Sequence, residues 1–332
     1  MRRRDIHQSY DFFEYVRTDS GVPAEDPRTI DVALLDMNHS WPNVGHDSIV
    51  HAVLECAESL AVSGLKVRVL SYDVRRRNAL PDPAGGRFDL YIGTGGPGHL
   101  DPRLNDGVSE FAQGIHETDA WEAPLFALFD SIVTDQSAAL IGVCHTFGLM
   151  CRWSGAAHPE LRQEKSSGMP ANVLSPAAAD HPWFSRFAKE LPDGRHFRVV
   201  DNRLFDLVLD GGGVTPIAFE NEHSGTVTMA EFARDGDMPR VWGVNHHPEI
   251  IDREHLLSVL REKRAHGEVT AQWYEERSHT LENEMAGDAE QQSRLTSEYT
   301  FLGVLRHHLQ RLIADVADSG EAKSGSALSR AV

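Results

Sequence analysis

The feature that most limits what this chain can fold into is a rhythm in its first half. Short apolar runs at Thr29–Leu35, Lys66–Leu70, Phe88–Ile92 and Ala138–Val143 alternate with stretches of helical periodicity. Continuous apolar runs rich in branched residues read as buried strands. After the first run, Ile49, Val50, Val53 and Leu54 share one helical face in a stretch closing at Gly64; before the fourth, Leu125, Leu128, Phe129 and Ile132 do the same. Strands joined through helices pair in parallel, so the chain reads as an α/β fold. From about Ala171 to Val244 the pattern shifts to strand-like pieces, Phe197–Val200, Leu207–Leu209, Thr226–Met229 and Val241–Val244. Gly211-Gly212-Gly213 lies between two of them and reads as a turn; no Lys and Ser/Thr follow at the spacing of a phosphate loop.

Length and charge narrow the class. At 332 residues the chain makes one large decorated domain or two modest ones. With 32 Lys plus Arg against 50 Asp plus Glu, the net charge is −18, which repels phosphate backbones and argues against nucleic-acid partners. No run has the length of a membrane span, so no membrane partner is expected. Met1-Arg2-Arg3-Arg4 is followed by Asp5-Ile6-His7-Gln8 rather than an apolar segment, which predicts no leader peptide. Three cysteines, Cys56, Cys144 and Cys151, fit a reducing cytoplasm better than a disulfide scaffold. The expected organisation is an N-terminal extension over 1–28, a main domain over 29–252, a charged helical extension over 253–317 and a flexible tail over 318–332. The aromatic cluster Tyr10, Phe12, Phe13 and Tyr15 reads as packing, docked on a surface. Leu302, Leu305, Leu309, Leu312 and Val316 form an apolar stripe for which packing on the main domain is preferred to a homodimer seam.

Three separated pieces carry chemistry. In Ile141-Gly142-Val143-Cys144-His145-Thr146-Phe147-Gly148 an apolar strand ends at a cysteine and a helix starts directly after it. Such an elbow lifts the side chain out of the sheet, and a helix start behind a thiol stabilises its anion. Gly142 leaves room for the turn. In Val244-Asn245-His246-His247-Pro248-Glu249, His247 and Glu249 sit two apart, so on extended chain they share a face and supply a base with its orienting acid. The turn Gly95-Gly96-Pro97-Gly98 follows the third strand; an N–H there and that of His145 would make two donors for an oxyanion.

These pieces resemble the class I glutamine amidotransferase family, whose elbow reads G-x-C-x-G-x-Q, whose base segment reads H-P-E and whose oxyanion loop reads G-G-P-G. The resemblance covers about Thr29 to Asp252. It implies a flavodoxin-like three-layer sandwich with a mostly parallel sheet. It implies Cys144 as nucleophile, His247 as base, Glu249 as orienting acid, and Gly96 with His145 at the oxyanion hole. Gly95, Pro97, Gly98, Thr146, Gly148 and His246 fall at substrate-binding positions. The spacing from Cys144 to His247 is wide for the family and predicts insertions within 155–200. Thr146 stands where the family has glycine, and Gly148 where it has the glutamine that helps to hold substrate. His246 and Asn245 replace the commoner Phe and Gln.

The first reading is therefore an amidotransferase-like enzyme that hydrolyses the side-chain amide of glutamine or an analogue through a Cys144 thioester. It would pass ammonia to an acceptor activated by a separate synthetase. The second keeps the nucleophile but takes a non-glutamine amide, γ-glutamyl compound or ester, as Thr146 and Gly148 motivate. The third is a silent binding or regulatory subunit. No cofactor or metal is expected, since adjacent His246 and His247 on a strand point to opposite faces. Cys56 and Cys151 read as core packing, His246 as a packed histidine or pocket wall, and Asn221–Ser224 as a solvated turn. Asn38–Trp41, at the carboxyl end of the first strand, is balanced between pocket wall and plain loop.

Overall fold

The computed structural model describes residues 4–41, 43–61, 64–267, 269–285 and 287–328. Its first half is built from β1 (Phe13–Arg17), β2 (Thr29–Asp36), α1 (Val44–Ser59), β3 (Lys66–Asp73), α2 (Val74–Arg77), β4 (Leu90–Gly93), α3 (Glu122–Thr134), β5 (Ala139–Val143) and α4 (His145–Ser154). A strand-rich segment follows, with β6 (Ala157–Gly168), β7 (Ala171–Leu174), α5 (Pro176–Asp180), α6 (Phe184–Glu190), β8 (His196–Arg198), β9 (Asp201–Leu209), β10 (Thr215–Phe219), β11 (Val227–Asp235) and β12 (Met238–Val244). The chain closes with α7 (Arg253–Ala265), α8 (Ala271–His279), α9 (Asp288–Ser297) and α10 (Gly303–Leu328), interrupted by π-helical turns at Thr280–Glu284 and Glu298–Leu302.

The main sheet has the order β1-β3-β2-β4-β5-β12-β11-β10-β7-β8. From β1 to β12 every neighbouring pair is parallel. From β12 to β8 every pair is antiparallel. The expected α/β sandwich is therefore present, its parallel half carrying helices on both faces. Strand β5 lies between β4 and β12, with Ile141 level with Ile92 and with Trp242. It is buried along its whole length because the strand is apolar on both faces. The region where insertions were expected holds β6, β7, α5, α6 and β8. Of these, β6 pairs with β9 in a separate two-stranded antiparallel ribbon.

The aromatic N-terminal segment does more than dock on a surface: it forms β1, an edge strand in register with β3, and Phe13 is fully buried in the core. The stripe on α10 is likewise satisfied within the chain. Leu305, Leu309 and Leu312 join Phe13, Trp242 and Val244 in one core cluster, with Leu302 and Val316 at its margin. Trp242 Nε1 donates to the Thr300 carbonyl at 3.1 Å, and the His308 Nε2 lies 2.9 Å from the Pro239 carbonyl. Helix α10 runs on to Leu328, into the stretch expected to be a tail, and 329–332 lie outside the described residues. Among the described residues, no helix is long and apolar enough to cross a membrane.

Candidate active site

The site begins at the end of β5. Cys144 has φ 49° and ψ −102°, a conformation that costs a non-glycine residue roughly 1–3 kcal/mol and persists only where its surroundings enforce it. Two constraints enforce it here. The Cys144 N–H donates to the Val244 carbonyl at 2.7 Å, holding the residue in the ladder, while α4 starts at the next residue and turns back under the sheet. Gly142 permits that return, because a Cβ there would meet Met150 Sδ at 2.4 Å. Thr146, expected at the substrate, is instead fully buried beneath the elbow. Its hydroxyl donates to the Thr94 carbonyl at 2.8 Å, and its branched end fills the space that a Cβ on Gly93 would take, 2.2 Å from Thr146 Cγ2. The branched side chain thus ties the elbow to the loop after β4.

His247 follows β12, the strand beside β5. Its N–H donates to the Val200 carbonyl at 2.8 Å, and its Nδ1 lies 2.9 Å from Glu249 Oε1. Burial works against the His247 imidazolium, but the Glu249 carboxylate and the Cys144 sulfur, both charge partners and hydrogen-bond partners, outweigh it. The imidazole is held well above its ordinary value. The Glu249 side chain is sealed from solvent, with Oε2 lacking a hydrogen-bond partner among the described residues. Behind it stands the first turn of α1, so close that a Cβ on Gly45 would lie 2.6 Å from Glu249 Oε1. That helix start places partial positive charge against the carboxylate. Gly95 makes a similar allowance on the other side: a Cβ there would stand 2.9 Å from His247 Cε1 and 3.4 Å from Cys144 Cβ.

The glycine turn is held from beneath by a residue that sequence reasoning missed. Arg75, at the start of α2, donates to the Met37 carbonyl at 3.0 Å and to the Pro97 carbonyl at 2.6 Å. Its Nε and Nη2 grip Glu117 at 3.0 and 2.6 Å, and both side chains are sealed from solvent. Gly96 packs into this frame: a Cβ would lie 2.3 Å from the Met37 carbonyl oxygen. The Gly98 N–H donates to Gln113 Oε1 at 2.8 Å. Arg75 is the first of three consecutive arginines, Arg75-Arg76-Arg77, and no motif singles it out. The signal that could have found it is its place two residues past the end of a strand, at the edge of the sheet where ligands bind. His145 heads α4, where an N–H has no carbonyl one turn back to satisfy it. Its ring is buried, and burial together with the nearby Arg75 holds it well below the ordinary imidazole range, so it is neutral.

These groups open into a cavity of about 210 Å³, lined by Cys144, His145, His247, Gly96, Pro97 and Gly98 on the side of the elbow. Trp41, Asn43, Val44 and Gly45 form one wall, so the loop after β2 does reach the pocket. The roof comes from the C-terminal helices, through Leu260 of α7, Trp273, Glu276 and Arg277 of α8, and Thr280 and Leu281 of the π turn. Thr270 caps α8, its Oγ1 accepting from Trp273 N at 3.2 Å. The roof is joined to β6 at Glu284, which accepts from Met169 N at 2.9 Å and occupies the space beside Gly168. Two further residues placed at the substrate do not face this cavity. Gly148 lies against Leu100, whose Cδ1 would be 2.6 Å from a Cβ there, and it is Leu100 that lines the pocket. His246 is fully buried on the opposite face of the chain from His247, edge-on to Phe197. Neither of its ring nitrogens has a hydrogen-bond partner among the described residues, and burial keeps it neutral.

The other candidates are structural. Cys56 and Cys151 are buried, and burial raises both thiols, Cys56 to about 11. Asn221 to Ser224 form a mostly exposed turn closed by Asn221 Oδ1, which accepts from His223 N and Ser224 N. Among the described residues no three His, Cys, Asp or Glu side chains cluster as a metal site would require.

A thiol on a strained strand-to-helix turn, an imidazole just past the end of the neighbouring strand and a carboxylate behind it thus lie together at one edge of the sheet. Known structures share the architecture that carries them. A glutamine amidotransferase from Thermotoga maritima superposes with a TM-score of 0.51, at 13% identity, over 86% of this chain and 98% of its own. A glutamine amidotransferase from Methylobacillus flagellatus gives a TM-score of 0.50, at 15% identity, over 84% of this chain and 94% of its own. The chain therefore has the glutamine amidotransferase fold. No protein-family model matches the sequence, and no curated protein matches it.

Proposed function

We propose that the chain is a cysteine-dependent amide hydrolase of the glutamine amidotransferase type, with glutamine or a close analogue as amide donor. Cys144 Sγ attacks the side-chain carbonyl carbon while His247 takes the thiol proton. The carbonyl oxygen, now an oxyanion, is met by the N–H of His145 and an N–H of the Gly96 loop. When the intermediate collapses, the C–N bond breaks, His247 returns its proton to the leaving nitrogen, and ammonia departs from a Cys144 thioester. Water, deprotonated by His247, then releases the acid and restores the thiol. Ammonia passes to an acceptor activated by a separate protein. The observation that carries this reading is the coupling of Cys144 to an imidazole that Glu249 holds well above its ordinary value. A reducing compartment such as the cytoplasm suits three free cysteines, Cys56, Cys144 and Cys151.

One observation favours a second reading of the substrate. Leu100 occupies the space beside Gly148, so the pocket shows an alkyl wall where the resembling family offers an amide side chain. A non-glutamine amide or γ-glutamyl compound suits such a wall. Intact-protein mass after exposure to a glutamine-mimicking diazoketone, with Cys144→Ala as control, separates the readings. One adduct that the control lacks supports glutamine. Labelling of Cys144 by iodoacetamide but not by the diazoketone supports the second reading. Inertness to both removes the nucleophile and with it the proposal.

A further inference from the structure

Two adjacent glycines make Gly95–Gly96 the easiest kind of peptide to rotate, because neither neighbour carries a Cβ to restrict it. Both glycines are obligatory here: a Cβ on Gly95 would stand 2.9 Å from His247 Cε1, and one on Gly96 2.3 Å from the Met37 carbonyl oxygen. The orientation of this peptide decides what the turn offers the cavity. In a trans peptide the N–H and C=O point in opposite directions, so one orientation presents a donor to a developing oxyanion and the other a carbonyl that repels it. The structure holds the carbonyl from beneath. Thr94, fully buried, donates from Oγ1 to the Gly95 carbonyl at 2.8 Å. That hydroxyl has no freedom to turn. A threonine oxygen has one hydrogen to give and two lone pairs, and here the lone pairs receive Met37 N at 2.9 Å and Asn38 Nδ2 at 3.2 Å. Asn38 is fixed in its turn, since Nδ2 also donates to Asp36 Oδ1 at 2.7 Å and the reversed amide would set oxygen against that carboxylate. The Thr94 carbonyl accepts from the N–H and the hydroxyl of Thr146 at 3.3 and 2.8 Å, which anchors the same residue to the elbow.

We propose that Thr94 is a positioning residue whose hydroxyl locks the Gly95–Gly96 peptide, with its carbonyl turned into the protein and the Gly96 N–H turned toward the cavity, so that the oxyanion hole stands complete in the chain alone. Asn38 and Asp36 act behind it, by leaving the hydroxyl hydrogen a single acceptor. Arg75, on the Pro97 carbonyl, steadies the other end of the turn. Every group in this lock belongs to the chain itself, and Thr94, Asn38 and Asp36 are all buried. The consequence is regulatory. Amide cleavage at Cys144 needs no partner protein to complete the site, and a synthetase that uses the ammonia draws on the reaction without switching it on. This deepens the function proposed above and rests on Cys144 being the nucleophile.

The test sets an acyl transfer against a displacement at the same sulfur, in the purified full chain with no other protein present. With p-nitrophenyl acetate the sulfur bonds the acetyl carbon through a tetrahedral oxyanion and nitrophenolate leaves; with iodoacetamide it displaces iodide and no oxyanion forms. The ratio of the two rates at Cys144, with Cys144→Ala as the blank, cancels most of any change in thiol reactivity, and glutathione gives the ratio for an unassisted thiol. The ratio in the parent chain is expected to exceed that of glutathione by roughly a hundredfold, the effect of a formed oxyanion hole. In Thr94→Val, which keeps the shape and removes the hydroxyl, it falls by roughly tenfold or more, and Thr94→Ser recovers most of the loss. Asn38→Ala leaves Thr94 in place and lowers the ratio about fivefold, the effect of one hydrogen bond, which reads the lock even where Thr94→Val does not fold. A parent ratio equal to that of glutathione overturns the preformed hole. Variant ratios equal to that of the parent overturn the part played by Thr94. If Cys144 reacts with neither reagent, the nucleophile reading itself fails and the proposal falls with it.

Discussion

Replacing Gly45 with alanine should damage the site while leaving the fold intact, against what helix propensity alone would forecast. The residue lies in the first turn of α1, where glycine to alanine ordinarily stabilises by up to about 1 kcal/mol. Here the new methyl would stand 2.6 Å from Glu249 Oε1 and 3.0 Å from Asn43 Oδ1, closer than carbon and oxygen approach without bonding. Glu249 is enclosed, so its carboxylate must retreat, and the 2.9 Å bond to His247 is what gives way. Losing a hydrogen bond to a charged group costs about 1.5–3 kcal/mol. Felt in the transition state, that is roughly a 10- to 150-fold loss of turnover. The imidazole should then titrate at lower pH than in the parent, since the carboxylate that favours its cation has moved away. An NMR titration of His247 and the turnover of the amide substrate measure the two effects. In a Glu249→Ala background, Gly45→Ala should cost nothing further and should raise the melting temperature. If Gly45→Ala lowers turnover as much there as in the parent, the glycine does not act through Glu249 and the reasoning fails.

Three other outcomes follow from the same structure. Arg75→Met leaves Glu117 sealed without its cation and releases Met37 and Pro97; urea denaturation should show a loss of about 3–5 kcal/mol, partly recovered when Glu117→Gln is added. Gly148→Gln drives a side chain into Leu100 and should cost about 1–3 kcal/mol, most of it returned by Leu100→Ala; a single variant as stable as the parent would contradict the account of that wall. His308 is held at about 4 against an ordinary 6.5, chiefly by burial, so it stays neutral in the fold while the unfolded chain takes up a proton. As pH falls from 6.5 to 4 this residue alone should remove about 3 kcal/mol of stability, and His308→Gln should flatten the stability profile across that window.

What could be read from the sequence depended on how directly each signal expressed its cause. The parallel half of the sheet was legible because β4 and β5 are buried and apolar throughout, while β2 and β3 keep buried apolar residues around a few polar ones, among them Asp31 and Arg68, which pair at 2.7 Å. The elbow was legible because a strand, a cysteine and a helix follow one another without a gap. Strand β6 was not, since Ala157–Gly168 is largely exposed and carries charged side chains on both faces, with no period to betray it. Strand β1 was missed because Phe13-Glu14-Tyr15-Val16-Arg17 buries only Phe13 fully, as suits an edge. Thr146 and His246 were placed at the substrate by position in a motif, but position does not say which side of a fully packed backbone a side chain takes. Leu100 and Arg277 reach the site from distant elements, and a contact made only by tertiary folding leaves no local trace; Arg75 left only its place just past a strand.

The neighbouring placement of β5 and β12 has a consequence for the order in which the chain is made. Cys144 and His247 follow the ends of adjacent parallel strands, with Val143 level with Val244, yet the whole β6–β11 segment is synthesised between them. On a ribosome the cysteine emerges long before any strand can close against its far side. Until β12 docks, its amide lacks the Val244 carbonyl and its thiol has no imidazole, so the elbow has no reason to hold its strained turn. The roof arrives later still, with α8. Long-range pairing of this kind forms late in assembly. Any property of Cys144 that depends on His247 is thereby delayed until β12 has been made, and a product ending before residue 247 lacks that imidazole.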